Sequence, residues 1–283
     1  MSLAALRAAL VGEARLVTPF FVLGDPTPEL SVELAVRAVE AGAGGLELGL
    51  PYGDPVADGP EVAAASLRAL AAGTTTSRAL ECLRQIAERT GAPLNLLVYA
   101  NLVHARGWER FAREAAGVGA SSLLCPDVGL EESAPLARAC AAADLGLVQL
   151  VGPRTPDARV RALGRASSAF VYLVSHQGVT GARDALAPGA AERVARVAAL
   201  AGVPVCVGFG LSHAAHCRAA FDAGARLAVV GSALARRIRR ATEAGLPGEA
   251  LLAELEEACR EQARAAAPAP TENPPERTEE PSC

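Results

Sequence analysis

Three carboxylates share one short stretch of this chain, LELGLPYGDPVADGP (Leu46 to Pro60): Glu47, Asp54 and Asp58. Glu47 lies inside an apolar run, whereas the two aspartates follow in a loop punctuated by Pro and Gly. Side chains along a strand alternate faces, so Leu46, Leu48 and Leu50 share one face and Glu47 and Gly49 the other. In a barrel strand the leucines would meet the surrounding helices and Glu47 would point inward. Burial of a carboxylate raises its pKa toward the range useful for proton transfer. The other reading of Glu47 is a structural carboxylate that receives hydrogen bonds from backbone or Arg. Two carboxylates in different environments suit a division of acid and base work, which makes Asp58 the candidate companion. Asp58, in ADGPEV, also reads as a turn or helix-cap aspartate, and Asp54 beside Pro55 as a turn or interface residue.

Two glycine turns form the second candidate site. Gly208-Phe209-Gly210 and Gly231-Ser232 each end an apolar run and meet the start of a helical one. Gly lets a backbone approach an anion closely, and helix N-termini present free amides to it. One such turn is weak evidence; two at neighbouring strand ends point to phosphate. A third feature is the polar loop SHQGVTGARDALAPG, long enough to act as a lid, from which Thr180 could hydrogen-bond a catalytic carboxylate on closure. The bland alternative is an exposed loop.

Other chemistries are excluded by residue type. The chain contains no lysine, so all 27 basic residues are arginine. That removes a lysine Schiff base, a pyridoxal-phosphate anchor and a nucleotide loop ending in Gly-Lys. The histidines (104, 176, 213, 216) supply no third ligand to join His213 and His216, and the seven cysteines show no CxxC spacing. No metal and no cofactor are expected, and most thiols read as reduced and buried. With a net charge of −4, one Trp and no basic patch, nucleic acid is not an expected partner. The first residues (SLAALRAALVGEA) carry Arg7 and Glu13 and read as an amphipathic helix rather than a leader or membrane span, as in a cytoplasmic protein.

The elements that must position these groups follow from periodicity. Apolar strand-like runs occur at 15–24, 46–50, 94–100, 122–126, 145–151, 169–174, 203–210 and 227–231. Helical spacing appears between them, at 28–42, 61–72 and 77–90, 108–116, 131–143, 156–165, 190–201, 213–223 and from 233, with a last helix over 247–266. Eight apolar strands alternating with eight helices predict a single α/β domain, a (β/α)8 TIM barrel with an N-terminal helix, over residues 1–266. A doubly wound sheet would want a glycine fingerprint after the first strand, where Gly24-Asp25-Pro26 stands instead. Residues 267–283, rich in Pro, Glu and Thr, read as a disordered C-terminal tail.

The segments PFFVLGDP, LELGLPYGDPVADGP, YANLV, GLEESAP, YLVSHQGVTGAR, VGFGLS and VVGSAL, in that order, resemble the tryptophan synthase alpha chain family across about residues 1–262. The resemblance implies retro-aldol cleavage of indole-3-glycerol phosphate to indole and glyceraldehyde 3-phosphate. It also implies a beta chain partner, in an α2β2 assembly, that takes indole through a tunnel. Carried over residue by residue, it makes Glu47 the main proton-transfer group and puts Asp58 on the indole N–H. Phe20, Leu97, Tyr99, Tyr172 and Phe209 would shape the indole pocket, and Gly181, Gly210, Gly231 and Ser232 would hold phosphate. The missing lysine agrees with this chemistry, because an indole protonated at C3 is its own electron sink. The chain departs from the family pattern at Val22 (usually Thr), Gly53 (usually Ser), Gly129 (usually Pro) and His176-Gln177 (more often Arg-Ser). Gly53 and Gly129 lie in segments that face the beta chain in the family. Alternatives are a diverged paralogue, either a partner-independent lyase releasing free indole or a phosphate-binding activator subunit, and a different phosphate-barrel isomerase. The isomerases lack the paired loop and lid.

Overall fold

The computed structural model describes residues 2–174, 188–208 and 210–267. Eight parallel strands close into a barrel in sequence order: β1 (Leu16–Val22), β2 (Leu46–Gly49), β3 (Leu94–Leu97), β4 (Ser122–Leu124), β5 (Gly146–Val151), β6 (Val171–Leu173), β7 (Val205–Val207) and β8 (Leu227–Val230). The expected architecture is present. Closure is made by β1, which pairs with β2 through Phe20 opposite Glu47 and with β8 through Pro19 opposite Val230.

Strand pleating sorts the apolar side chains into two layers. Leu46, Leu48 and Leu50 of the second strand region, with Val17, Phe21 and Leu96, pack outward against the helices. Phe20, Val22, Leu124, Val148, Tyr172 and Val229 pack inward. Each such buried side chain contributes about 1.5–3 kcal/mol relative to exposure, so the alternation strongly specifies the register. The N-terminal helix Leu3–Ala9, capped by the Ser2 hydroxyl, sends Leu3 and Leu6 into the inner layer. Arg7 of that helix donates to the Ser168 carbonyl at 2.9 Å, ahead of β6, so the helix stoppers the N-terminal end of the barrel. The opposite end is left for chemistry.

Helix entries follow their local signals. Thr27 and Thr75 accept from Leu30 and Arg78 amides, and Pro28 and Pro60 occupy first-turn positions. The described residues hold twelve α-helices rather than eight. The N-terminal helix and the split pair Pro60–Ala71 and Thr76–Thr90 were expected; Ala100–Arg106 was not. The apolar run predicts a third strand that reaches residue 100. In the structure the strand stops at Leu97, and the Asp127 carboxylate accepts from the Ala100 amide at 2.9 and 3.2 Å. The capping group comes from the loop after β4, so no local pattern announces it. Gly107, at φ 85, then separates this helix from Trp108–Gly117.

The chain ends, among described residues, with the helix Gly248–Ala263 and a 3-10 turn at Arg264–Ala266. Residues 268–283 of the expected tail lie outside the described residues. Among the described residues no helix is long and apolar enough to cross a membrane.

Candidate active site

Glu47 is inward, and its side chain is 3% exposed. Its neighbours in register on the inner face are Phe20 on one side and Asn95 on the other, and Asn95 accepts in turn from the Ser122 hydroxyl at 2.7 Å. Burial pushes the Glu47 carboxyl up to about 8; a hydrogen bond from Tyr172 opposes this, and the negative charge of Asp58 adds to it. The reading of Glu47 as a carboxylate satisfied by Arg is not what the structure contains. Its hydrogen-bond partner is the Tyr172 hydroxyl, which donates to Oε1 at 3.3 Å. The same hydroxyl donates to the Gly208 carbonyl at 3.2 Å. One phenol proton cannot serve two acceptors well. A protonated Glu47 relieves the conflict, because it can donate to Tyr172 while Tyr172 donates to Gly208. The geometry and the raised pKa therefore agree on a neutral Glu47 near pH 7.

Tyr172 reaches this position only because residue 208 has no side chain. A Cβ there would lie 1.8 Å from the Tyr172 ring and hydroxyl. The sequence offers the Gly208-Phe209-Gly210 turn as a phosphate contact or a plain tight turn, with Phe209 beside the indole; the structure gives Gly208 the task of admitting Tyr172.

Asp58 is half-buried, and burial lifts its carboxyl to about 6 against a hydrogen bond from Tyr99. The helix-cap reading of Asp58 does not hold: Gly59 is the N-cap of Pro60–Ala71, without a side-chain cap bond. The Tyr99 hydroxyl accepts from the Ala57 amide at 3.0 Å, which leaves its own proton for Asp58. Burial, with the Asp58 charge beside it, holds the Tyr99 phenol well above its ordinary pKa, so it stays a donor. Tyr99 also stacks on Tyr52, with ring centroids 5.0 Å apart. The Tyr52 hydroxyl accepts from Asn101 at 3.3 Å, in the unexpected helix. The sequence marked Tyr99 and Tyr172 only as pocket walls; each in fact touches an acid. Tyr52 and Asn101 lie in the family segments but nothing local marked their contacts, and Asp127 lay outside those segments, because their partners are far along the chain. Asp54 is exposed, in a turn where its carbonyl accepts from Val56.

The phosphate candidates meet the same mouth through Phe20. A Cβ on Gly49 would lie 2.8 Å from the Phe20 ring, and one on Gly231 would lie 3.3 Å from it. Phe20 is thus wedged between the acid's strand and the turn after β8. Gly231 is the N-cap of the helix Ser232–Glu243; its carbonyl accepts from the Leu234 and Ala235 amides, which leaves the Ser232 and Ala233 amides without an intrahelical acceptor. Gly210 is exposed at φ 78, a left-handed conformation that favours glycine, in the turn after β7. Leu97 ends β3 on the inner face, half-buried and opposite Gly49. Thr180, Gly181 and Phe209, with the rest of the candidate lid including His176 and Gln177, lie outside the described residues.

Remaining reactive types are placed elsewhere. Six cysteines (82, 125, 140, 206, 217, 259) are buried and free, and Cys283 is outside the described residues. His213 and His216 meet edge to face at 5.4 Å. Among the described residues no group of three or more His, Cys, Asp or Glu is arranged to hold a metal ion.

Comparison with known proteins converges on one family. The family model for the tryptophan synthase alpha chain matches residues 7–267. The tryptophan synthase alpha chain of Methanothermobacter thermautotrophicus is 43% identical over 216 residues, covering 76% of this chain and 80% of that one. That of Corynebacterium glutamicum is 37% identical over 252 residues, covering 88% and 90%. Among solved structures, tryptophan synthase subunit alpha from Legionella pneumophila superposes with a TM-score of 0.82 at 28% identity, over 94% of this chain and 98% of that one. A chain of the tryptophan synthase α2β2 complex from Pyrococcus furiosus superposes with a TM-score of 0.81 at 29% identity, over 88% and 98%. With a family model spanning nearly the whole barrel and relatives this similar over most of their length, the chain belongs to the tryptophan synthase alpha chain family.

Proposed function

We propose that this chain is a tryptophan synthase alpha subunit, a lyase that cleaves indole-3-glycerol phosphate to indole and glyceraldehyde 3-phosphate. Membership of the family supports the reaction. The observation that carries the residue roles is the inward Glu47, held protonated near neutrality, beside an Asp58 that ionises about two pH units lower. Glu47 gives its proton to indole C3, which leaves an indoleninium whose positive nitrogen faces the Asp58 carboxylate. The side-chain hydroxyl next to the ring then returns a proton to Glu47. Its oxygen becomes the aldehyde carbonyl, the carbon–carbon bond breaks, and the bonding pair restores the neutral indole. Glu47 finishes as it started, and no metal or cofactor is consumed. Positioned acid–base catalysis of this kind contributes about 10²–10⁴-fold per proton transfer.

We assign Phe20, Leu97, Tyr99 and Tyr172 to the indole side and, on the family resemblance alone, add Phe209 to that side and Thr180 as a hydrogen-bond partner of a catalytic carboxylate. Gly181, Gly210, Gly231 and Ser232 take the phosphate on backbone amides. We take residues 1–266 as the catalytic domain and 267–283 as a tail outside it, and we place the enzyme in the cytoplasm. The partner is a beta chain in an α2β2 assembly. Its docking face is supported by exposed Val56 and Leu67 and by Leu70, which borders a cleft of about 430 Å³ with Pro51, Tyr52 and Leu102. Nothing favours the partner-independent or activator readings over this one.

The test is to incubate the purified chain with indole-3-glycerol phosphate, with and without a beta chain, and follow indole. Release of indole that a beta chain enhances is expected. No indole under either condition would remove the lyase.

A further inference from the structure

The helix Pro60–Ala71 begins two residues after Asp58; it buries only the small residues Ala65, Ser66 and Ala69, with half-buried Val62 packed beside them, so its contact with the barrel mouth offers little shape to key it along its axis. Two charged pins supply what the alanines lack. Near its end, Arg68 donates from Nε and Nη2 to Asp25 at 2.7 and 2.8 Å. In its first turn, Glu61 accepts from Arg236 Nε at 3.2 Å, from Arg239 Nε at 2.9 Å and from Arg239 Nη2 at 3.4 Å. Both arginines belong to Ser232–Glu243, the helix whose uncapped N-terminus carries Gly231 and Ser232. Arg239 is held in turn by Glu243 at 3.0 Å. The Glu61 side chain is only 17% exposed and receives two guanidinium groups, unlike the isolated surface pairs that contribute little. Arg239, acting first, with Arg236, holds the Glu61 carboxyl below its usual range, so the pin is ionised at neutral pH.

The rest of the loop has few ties. Among the described residues 53–58, its fixed points are short turns and the Ala57 amide donating to Tyr99. Asp58 therefore stands between one anchor at Tyr99 and another at Glu61. We propose that Glu61 is a positioning residue, tying the helix behind Asp58 to the helix that cradles the substrate's phosphate, so that an anion at Gly231 and Ser232 steadies Asp58. This rests on the phosphate and Asp58 roles given above. Through it the two ends of the substrate are coupled within the protein, and the phosphate contributes to the chemistry as well as to binding.

The test uses the full-length chain as E61Q, R239Q and the double variant, with circular dichroism to confirm folding. Indole affinity is measured with and without saturating inorganic phosphate, and turnover with indole-3-glycerol phosphate. In the unaltered chain, phosphate should tighten indole by about fivefold or more. In E61Q that factor should fall to about one while the affinity for phosphate alone stays within about twofold, a split that general loosening would not produce. The kcat should drop on the order of tenfold with KM little changed, and the double variant should be no worse than either single one. Wild-type kcat and coupling in E61Q and R239Q would overturn the inference and leave the lyase standing. Absence of coupling in the unaltered chain would overturn it as well. Failure of the unaltered chain to release indole is the separate result that removes the function on which it rests.

Discussion

Asp25, just past β1, and Glu47, within β2, are both acids buried to within a few per cent, and their environments have opposite logic. Burial raises the pKa of each. At Asp25 a bidentate guanidinium from Arg68 opposes it through hydrogen bonds and charge, although burial prevails and the carboxyl stays above its ordinary range. At Glu47 the answer is a shared phenol proton, and the nearest charge is another acid. One site sets its acid against a cation and uses it to hold a helix. The other keeps its acid neutral on the inner face of the barrel. Depth of burial alone does not separate structural from chemical carboxylates; the identity of the partner does.

Substitution of each acid should break this comparison in a different observable. Glu47→Gln should lower kcat/KM by about 10²–10⁴-fold while inorganic phosphate still binds nearly as well, measured by indole release and calorimetry. Retained cleavage would take Glu47 out of the reaction. The pH profile of kcat/KM should be bell-shaped, rising as Asp58 ionises through about 6 and falling as Glu47 loses its proton through about 8. A single limb would mean that only one of them is needed.

Arg68→Met should instead cost stability, about 2 kcal/mol in denaturant unfolding, because it strands the Asp25 charge; the Arg68 side chain is 21% exposed, so the full figure for buried pairs is discounted. Glu47→Gln should do the reverse. With a folded pKa raised from 4.5 to about 8, the folded state keeps a proton that the unfolded state releases, so wild-type stability declines as pH rises across that window. The variant should melt on the order of ten degrees above wild type at pH 8 and level with it at pH 4. The smallest effect expected is from Tyr99→Phe. Loss of the hydroxyl that lowers the Asp58 pKa should move the acidic limb of kcat/KM to higher pH. An unmoved limb would show that Tyr99 only packs.

Much of this was readable along the chain. Leucines alternating with Glu47 and Gly49 place the acid on the inner face of a strand, and that inference needs no contact from elsewhere. Residues whose importance lies in their partners were not readable in the same way. The Ala57–Tyr99 contact spans 42 residues and the Tyr172–Glu47 contact spans 125, so neither leaves a periodic trace. Asp58 looked as much like a helix cap as an active-site acid until Gly59 took the cap position. The helix Ala100–Arg106 was hidden because its capping carboxylate, Asp127, sits in the next loop.

The amino-acid order by itself determined the barrel, its eight strands, the inward acid and the absence of any lysine chemistry, since these depend on side-chain period and residue type. Tertiary structure alone decided that Glu47 faces a phenol and another acid while Asp25 faces a guanidinium. Protonation is set by what stands opposite a buried group, and in a barrel the groups that face one another arrive from strands and loops far apart in the chain.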